Sequence, residues 1–425
     1  MNIAYDRTEA KFNNLAMILL LSYYSLSTIM PAVAQYISAY LYMLTVVLLY
    51  AVIILKNYNT LNTYVMFLLP MLFLMLLQLL DIYYNRKGSI PLFMYSKLLY
   101  YIPMLLMFYM LYNNKRSLIK IIVVVALLAY IITALTTYLG LLKYPDAARI
   151  LATIENSKDI SAVKFGSLNI GGFETIYSIV ILFPLIICLF KNRKIPLIIF
   201  IVITALILLC IIQSQYATAF ILFVSSTVLI FAGKELKGNK VWYLIVITAL
   251  LLFIFKSQVA FLLTYLANNV QSSTLRERFL FLANSLKGIE NESDVGNRID
   301  LYMMSINSFL KYPLSGAYLF SRSSTGGHSF ILDTLGQFGM IGGAALFTFF
   351  RQIYIKLYLP FKEKQYFGYM IWSFILYIVL SILNPTGFLI VLGLLVPGIA
   401  YILQDGKYRT SPKGVPYLED NVGDQ

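Results

Sequence analysis

Histidine occurs once in this chain of 425 residues, cysteine and tryptophan twice each, and charged residues make up only 12%. An ordinary soluble domain carries about 25% charge, so that class is excluded at the outset. Cys188 and Cys210 lie inside apolar runs. Neither a disulfide framework nor a metal pattern follows from them, and they read as small core residues. No carboxylate cluster demands a divalent cation: Glu290, Glu292 and Asp294 are close in sequence but fall in a Gly/Asn/Ser-rich stretch that reads as a solvated loop. The formal charge of +14 could suggest nucleic acid. Its distribution fits membrane topology better, and no nucleic-acid partner is expected.

What the chain has instead is apolar length. Hydrophobic residues make up 60% and the mean hydropathy is +0.78, which points to a polytopic membrane protein. A crossing helix needs about 20 apolar residues. About twelve such runs are readable, at roughly 15–34, 37–55, 64–80, 92–112, 119–142, 172–190, 196–212, 216–232, 241–255, 330–350, 367–383 and 387–403. If they alternate, most cations fall on one side: Arg7 and Lys11, Lys56, Lys115/Arg116/Lys120, Lys191/Arg193/Lys194, Lys234/Lys237/Lys240, Arg351/Lys356/Lys362/Lys364 and Lys407/Arg409/Lys413. That side is expected to be cytoplasmic, with both termini on it; Arg86 and Lys87 are the exceptions. Pro31-Ala32-Val33-Ala34 before Gln35 resembles a signal-peptidase site, but the alternation works with that segment retained. The expected architecture is an all-α membrane bundle over 1–404, including outer loops 143–171 and 256–329, followed by a polar cytoplasmic tail over 405–425 that reads as disordered.

Charge avoids the middle of every run; Asp81, Lys97 and Glu174 come closest and sit toward the outer ends. A charge at the bilayer centre costs about 2.5–3.5 kcal/mol even on the lenient scale. Ion-coupled carriers accept that cost, and this chain does not. Polar chemistry is therefore concentrated in the outer loops. In the longer one, Leu275, Phe279, Leu282 and Leu286 recur at helical spacing. A second helix is predicted over 297–311, with Ile299, Met303, Ile306 and Leu310 on one face and Arg298, Tyr302 and Ser305 on another, stopped by Pro313. The lone His328 stands where this loop re-enters an apolar, glycine-punctuated run, Gly326-Gly327-His328-Ser329-Phe330-Ile331-Leu332-Asp333. Glycines 326, 327, 336, 339, 342 and 343 read as permitting close helix packing.

The order Asn297-Arg298-Ile299-Asp300-Leu301-Tyr302, then Tyr312-Pro313-Leu314-Ser315-Gly316, then His328-Ser329 leading to Leu332, Leu335, Gly339 and Gly342 resembles the O-antigen polymerase and ligase superfamily, which includes capsular polysaccharide polymerases. The resemblance rests on about 50 residues, extended by run count and loop placement. It implies a multi-span, lipid-dependent glycosyltransferase of the GT-C-like type in a bacterial plasma membrane. The implied donor is a glycan on a polyprenyl diphosphate at the outer leaflet, and no cofactor or metal is implied. Arg298 matches the family's loop arginine and His328 the histidine that activates the acceptor. Many relatives place a Ser-Arg pair at the start of a middle span, where this chain reads Gln213-Ser214-Gln215-Tyr216-Ala217-Thr218; Arg149, Lys164 and Arg322 are the candidates to replace that cation.

The chemistry suits these residue types. A departing diphosphate needs charge stabilisation, which arginine's forked donors supply, most strongly in a low-dielectric site. The acceptor hydroxyl must lose a proton, and an imidazole can take it near neutral pH. Arg298 and His328 are the expected catalytic pair. Arg149, Lys164, Arg322, Tyr302, Tyr318 and Asp333 are the expected substrate-binding residues. The expected partners are polyprenyl-diphosphate-linked glycans and membrane lipids, with a chain-length regulator and a flippase as further partners. The leading expectation is polymerisation of lipid-linked repeat units; the alternatives are ligase-type transfer of finished glycan and lipid-linked oligosaccharide flipping.

Overall fold

A computed structural model describes residues 2–36, 39–56, 61–85, 90–153, 160–214, 216–231, 256–270, 294–319, 325–385, 390–404, 408–410 and 416–418, with a few positions between 273 and 284. Its helices are α1 (Asn2–Ile29), α2 (Pro31–Tyr36), α3 (Ala39–Lys56), α4 (Leu61–Asn85), α5 (Ile90–Tyr112), α6 (Arg116–Lys143), α7 (Ala147–Thr153), α8 (Ile160–Ser167), α9 (Phe173–Lys191), α10 (Leu197–Ser214), α11 (Ala217–Phe231), α12 (Lys256–Asn269), α13 (Asp294–Lys311), α14 (Phe330–Ile353), α15 (Phe367–Leu383) and α16 (Val396–Ile402). A wide turn at Tyr354–Tyr358 and a tight one at Leu359–Phe361 extend α14, and a wide turn at Val391–Leu395 leads into α16.

Eleven of the twelve apolar runs fall on described helices. Four of these helices are long and apolar enough to cross a membrane: Arg116–Lys143, Phe173–Lys191, Leu197–Ser214 and Phe330–Phe361. Shorter apolar helices account for the others, and the run at 241–255 lies outside the described residues. The run at 15–34 is divided: α1 ends at Ile29 and Pro31 opens α2, where its missing N–H costs nothing. In the tail, β1 (Tyr408–Thr410) and β2 (Pro416–Leu418) pair antiparallel, with Arg409 opposite Tyr417. This corrects the expectation of a disordered tail at those six positions.

Apolar side chains point both ways. Residues 101–111 of α5, most of α9 and the whole of 390–401 are buried, so these helices form the centre. Around them α3, α6 and α10 expose Leu44, Leu48, Val124, Leu128, Leu135, Ile198 and Val202. So much apolar surface on an outer face is unfavourable in water and favourable in lipid.

Two contacts define the ends of the bundle. Phe330 N–H donates to Asn384 O at 3.2 Å, which sets the start of α14 beside the end of α15. The Lys191 ammonium lies 5.7 Å from the centroid of the Tyr369 ring, which sets the end of α9 beside the start of α15. Helix α9 is thus antiparallel to α15, and its first residues lie at the same end as His328. The opposite end is tied by Arg116, which donates to Gln404 O at 3.0 Å, and by Tyr401, which donates to Asn114 Oδ1 at 2.6 Å.

Candidate active site around His328

Helix α13 packs along α14 more extensively than any other pair of described elements. It runs from Asp294 to Lys311, beginning three residues earlier than predicted, and Pro313 follows its end. Its polar face turns inward: Ser305 is fully buried, and the Tyr302 hydroxyl donates to Leu383 O at 2.7 Å. Its apolar face turns outward, with Ile299 53% and Leu310 67% exposed. That orientation suits a helix whose outer side meets lipid or the interface.

The loop bearing His328 is fixed to α13 by its backbone. Gly326 sits so close to α13 that an added Cβ would stand 2.0 Å from Leu301 O. Gly326 N–H donates to Ser305 Oγ at 2.9 Å. The Ser305 hydroxyl in turn donates to Asp333 Oδ1, which also accepts from Gly327 N–H at 3.2 Å, while Asp333 Oδ2 accepts from Ser329 N–H at 2.8 Å. Ser329 caps α14 by accepting from Leu332 N–H at 3.0 Å. Backbone donors on either side of His328 are therefore held by one carboxylate. The imidazole itself is exposed, with no hydrogen-bond partner among the described residues.

Six residues after Asp333, α14 breaks. Gly339 takes φ +62° and ψ −155° inside the helix. Met340 and Ile341 would ordinarily donate to the carbonyls four residues back. Here they donate to Pro313 O at 2.7 Å and Leu314 O at 3.3 Å. The Pro313-Leu314-Ser315-Gly316 turn thus fills the break and satisfies amides that would otherwise be orphaned. Both backbones must be bare: a Cβ on Gly316 would meet Gln337 O at 2.3 Å, and one on Gly339 would meet Leu314 O at 2.5 Å. Asp81 of α4 accepts from Gln337 Nε2 at 2.6 Å and joins α4 to the same region.

The expected site residues divide as follows. Arg298 lies on α13, one turn before the Leu301 carbonyl against which Gly326 rests, so the backbone brings its position to the His328 loop. Tyr302 lies on the same helix, and its hydroxyl is engaged to Leu383 O. Tyr318 sits in the short turn Ala317–Leu319 with its ring 5.6 Å from that of Phe338. The carboxylate of Asp333, expected to bind substrate, is taken up by the chain's own donors, which makes it a positioning residue for the loop. Lys164 is exposed on α8, its ammonium 4.5 Å from the centroid of the Tyr144 ring. Arg322 lies outside the described residues.

Arg149 is placed on α7 by its backbone, and the placement is informative. Tyr216, in the stretch that lacks the expected arginine, donates its hydroxyl to Ala148 O at 2.6 Å and stacks on Tyr177 at 5.8 Å. The residue following Ala148 is Arg149. Of the two candidate replacement cations among the described residues, Arg149 and Lys164, Arg149 is the one whose backbone is tied to that stretch.

An apolar groove of about 450 Å³ runs between α14 and α15. Ile331 and Leu335 line its near end, Phe347 and Ile378 its length, and Arg351 with Tyr354 its far end. Along α14 the lining extends from Ile331 to Tyr354 across the break at Gly339, and the groove begins three residues after His328. Sequence reasoning missed Ser305 as the anchor of the loop and missed the groove altogether. No protein-family model and no curated protein matches this chain.

Proposed function

We propose that this protein is a membrane glycosyltransferase of the multi-span, GT-C-like type that polymerises polyprenyl-diphosphate-linked repeat units into a surface polysaccharide. The observation that carries this reading is the cradle of Ser305, Asp333, Gly326 and Gly327, which sets the sole histidine of the chain against the helix bearing Arg298, at the mouth of an apolar groove. About twelve crossings, both termini in the cytoplasm of a bacterium and His328 facing outward complete the reading, on the charge distribution.

In this reading the groove takes the polyprenyl tail of the donor, and the diphosphate lies near Arg298. The acceptor hydroxyl oxygen attacks the anomeric carbon of the donor glycan, the bond from that carbon to the diphosphate oxygen breaks, and His328 takes the hydroxyl proton. Polyprenyl diphosphate leaves with both bonding electrons, its charge offset by guanidinium donors. Asp333 keeps the histidine loop in register without touching substrate.

The lipid-linked pool of a deletion strain tests the assignment. A lost polymerase leaves single repeat units at the outer leaflet. Long lipid-linked chains would instead indicate a ligase, and repeat units trapped at the inner leaflet would indicate a flippase.

A further inference from the structure

At the same end of the bundle as His328, but built from other helices, lies a cavity of about 540 Å³. Small-molecule sites run to roughly 300–1,000 Å³. Its lining includes Ser27, Gln35, Tyr130, Phe173, Glu174 and Ser178. Its wall is built firmly. The Asn169 side chain donates to Thr136 Oγ1 at 2.9 Å and to Thr133 Oγ1 at 3.3 Å, and its Oδ1 accepts from Ala32 N–H at 3.2 Å. Gly171 N–H donates to Thr137 Oγ1 at 2.8 Å. These bonds staple the 166–172 segment to α6 and α2, and Gly166 and Gly172 of that segment line the cavity.

One lining group is open to a ligand. Glu174 is exposed, and it accepts no hydrogen bond from the described residues. Its carboxylate supplies acceptors, Gln35 supplies both a donor and an acceptor, and Phe173 offers an apolar face. A diphosphate is disfavoured by the carboxylate. A sugar ring, with a row of hydroxyls and an apolar side, satisfies each group.

We infer that this cavity binds the saccharide end of the acceptor, with Glu174 as its principal hydrogen-bond acceptor. The donor diphosphate then occupies the Arg298 side, and the acceptor glycan is seated at Glu174 with its attacking hydroxyl extending to His328. The inference rests on the proposed polymerase reading for the identity of its ligand.

The test uses full-length protein in nanodiscs and repeat-unit oligosaccharide released by mild acid from the producing strain's lipid-linked pool, so that neither lipid nor diphosphate is present. Binding is measured calorimetrically. Wild type is expected to bind, Glu174→Gln at least 10-fold more weakly, and Gly166→Leu not at all. A Cβ at Gly166 meets nothing nearer than Gln35 Oε1 at 3.5 Å, so the leucine fills the cavity without a backbone clash. Absence of binding to wild type, or equal binding by Glu174→Gln and Gly166→Leu, overturns the inference. Normal elongation by His328→Ala, with sugar binding still dependent on Glu174, would remove the polymerase mechanism and leave the cavity assignment standing.

Discussion

Asp333 is the residue on which the geometry of the candidate site turns, because both of its oxygens accept. Ser305 Oγ and Gly327 N–H meet Oδ1 and Ser329 N–H meets Oδ2, so an asparagine must point an NH₂ at a donor whichever way it is flipped. Asp333→Asn is expected to lower stability by about 1–3 kcal/mol and to slow elongation, read by thermal unfolding and by product formation. An unchanged unfolding midpoint together with an unchanged rate would show that the cradle does not hold the loop. At the same scale, Asp333 reads from the sequence as a substrate ligand, and in the structure its oxygens accept from the chain's own donors. Its spacing of five residues from His328 gave no sign of contact, and its true partners, two backbone amides and Ser305, carry no signature in sequence.

At the scale of elements, the meeting of the Pro313–Gly316 turn with the break at Gly339 organises α13 and α14. Gly339→Ala puts a Cβ 2.5 Å from Leu314 O and 2.6 Å from Gly316 N, both backbone atoms that cannot swing aside. It also forces a side chain into a backbone conformation, φ +62° and ψ −155°, that is essentially glycine's alone, at about 1–3 kcal/mol. Gly327 has φ +72° but nothing within 4 Å, so Gly327→Ala meets the conformational cost alone. Gly339→Ala is expected to lower the unfolding temperature clearly more than Gly327→Ala; equal shifts would mean that the turn does not fill the break. Much of this level was legible. Helix α13 and its stop at Pro313 followed from periodicity, as did most of the apolar helices. The glycines of 326–343 were read as packing positions, and 326, 336 and 339 do meet foreign backbone. What could not be read was which segment fills the break, since that contact is backbone to backbone between residues far apart in the chain. The direction of α13 was also open, because an amphipathic pattern does not say whether its apolar face meets core or lipid. The run of Thr133, Thr136 and Thr137 in an apolar helix was a visible signal of the Asn169 staple that went unused.

Across the whole molecule, the polar residues collect at two ends and the apolar surface lies between them. One end is closed by Arg116, Gln404, Tyr401 and Asn114. The other carries the His328 loop, the position of Arg298, the mouth of the groove and the Glu174 cavity. In the proposed reading these serve a reaction between two lipid-linked glycans, as a place for one diphosphate, a base beside it, a channel for a tail and a separate seat for the second sugar. Composition alone conveyed the membrane class and the crowding of polar chemistry into a few segments. That α9 and α14 present their first residues at one end, as the outer-loop assignment of 143–171 and 256–329 expects, follows in the structure from their packing against α15. The most direct test is incubation of purified protein with its lipid-linked repeat unit. Wild type is expected to yield a ladder of longer lipid-linked chains, and His328→Ala and Arg298→Ala, still membrane-inserted, are each expected to fall by about 10²–10⁴-fold. A wild-type protein that forms no glycosidic bond, or variants that elongate at the full rate, would contradict the account.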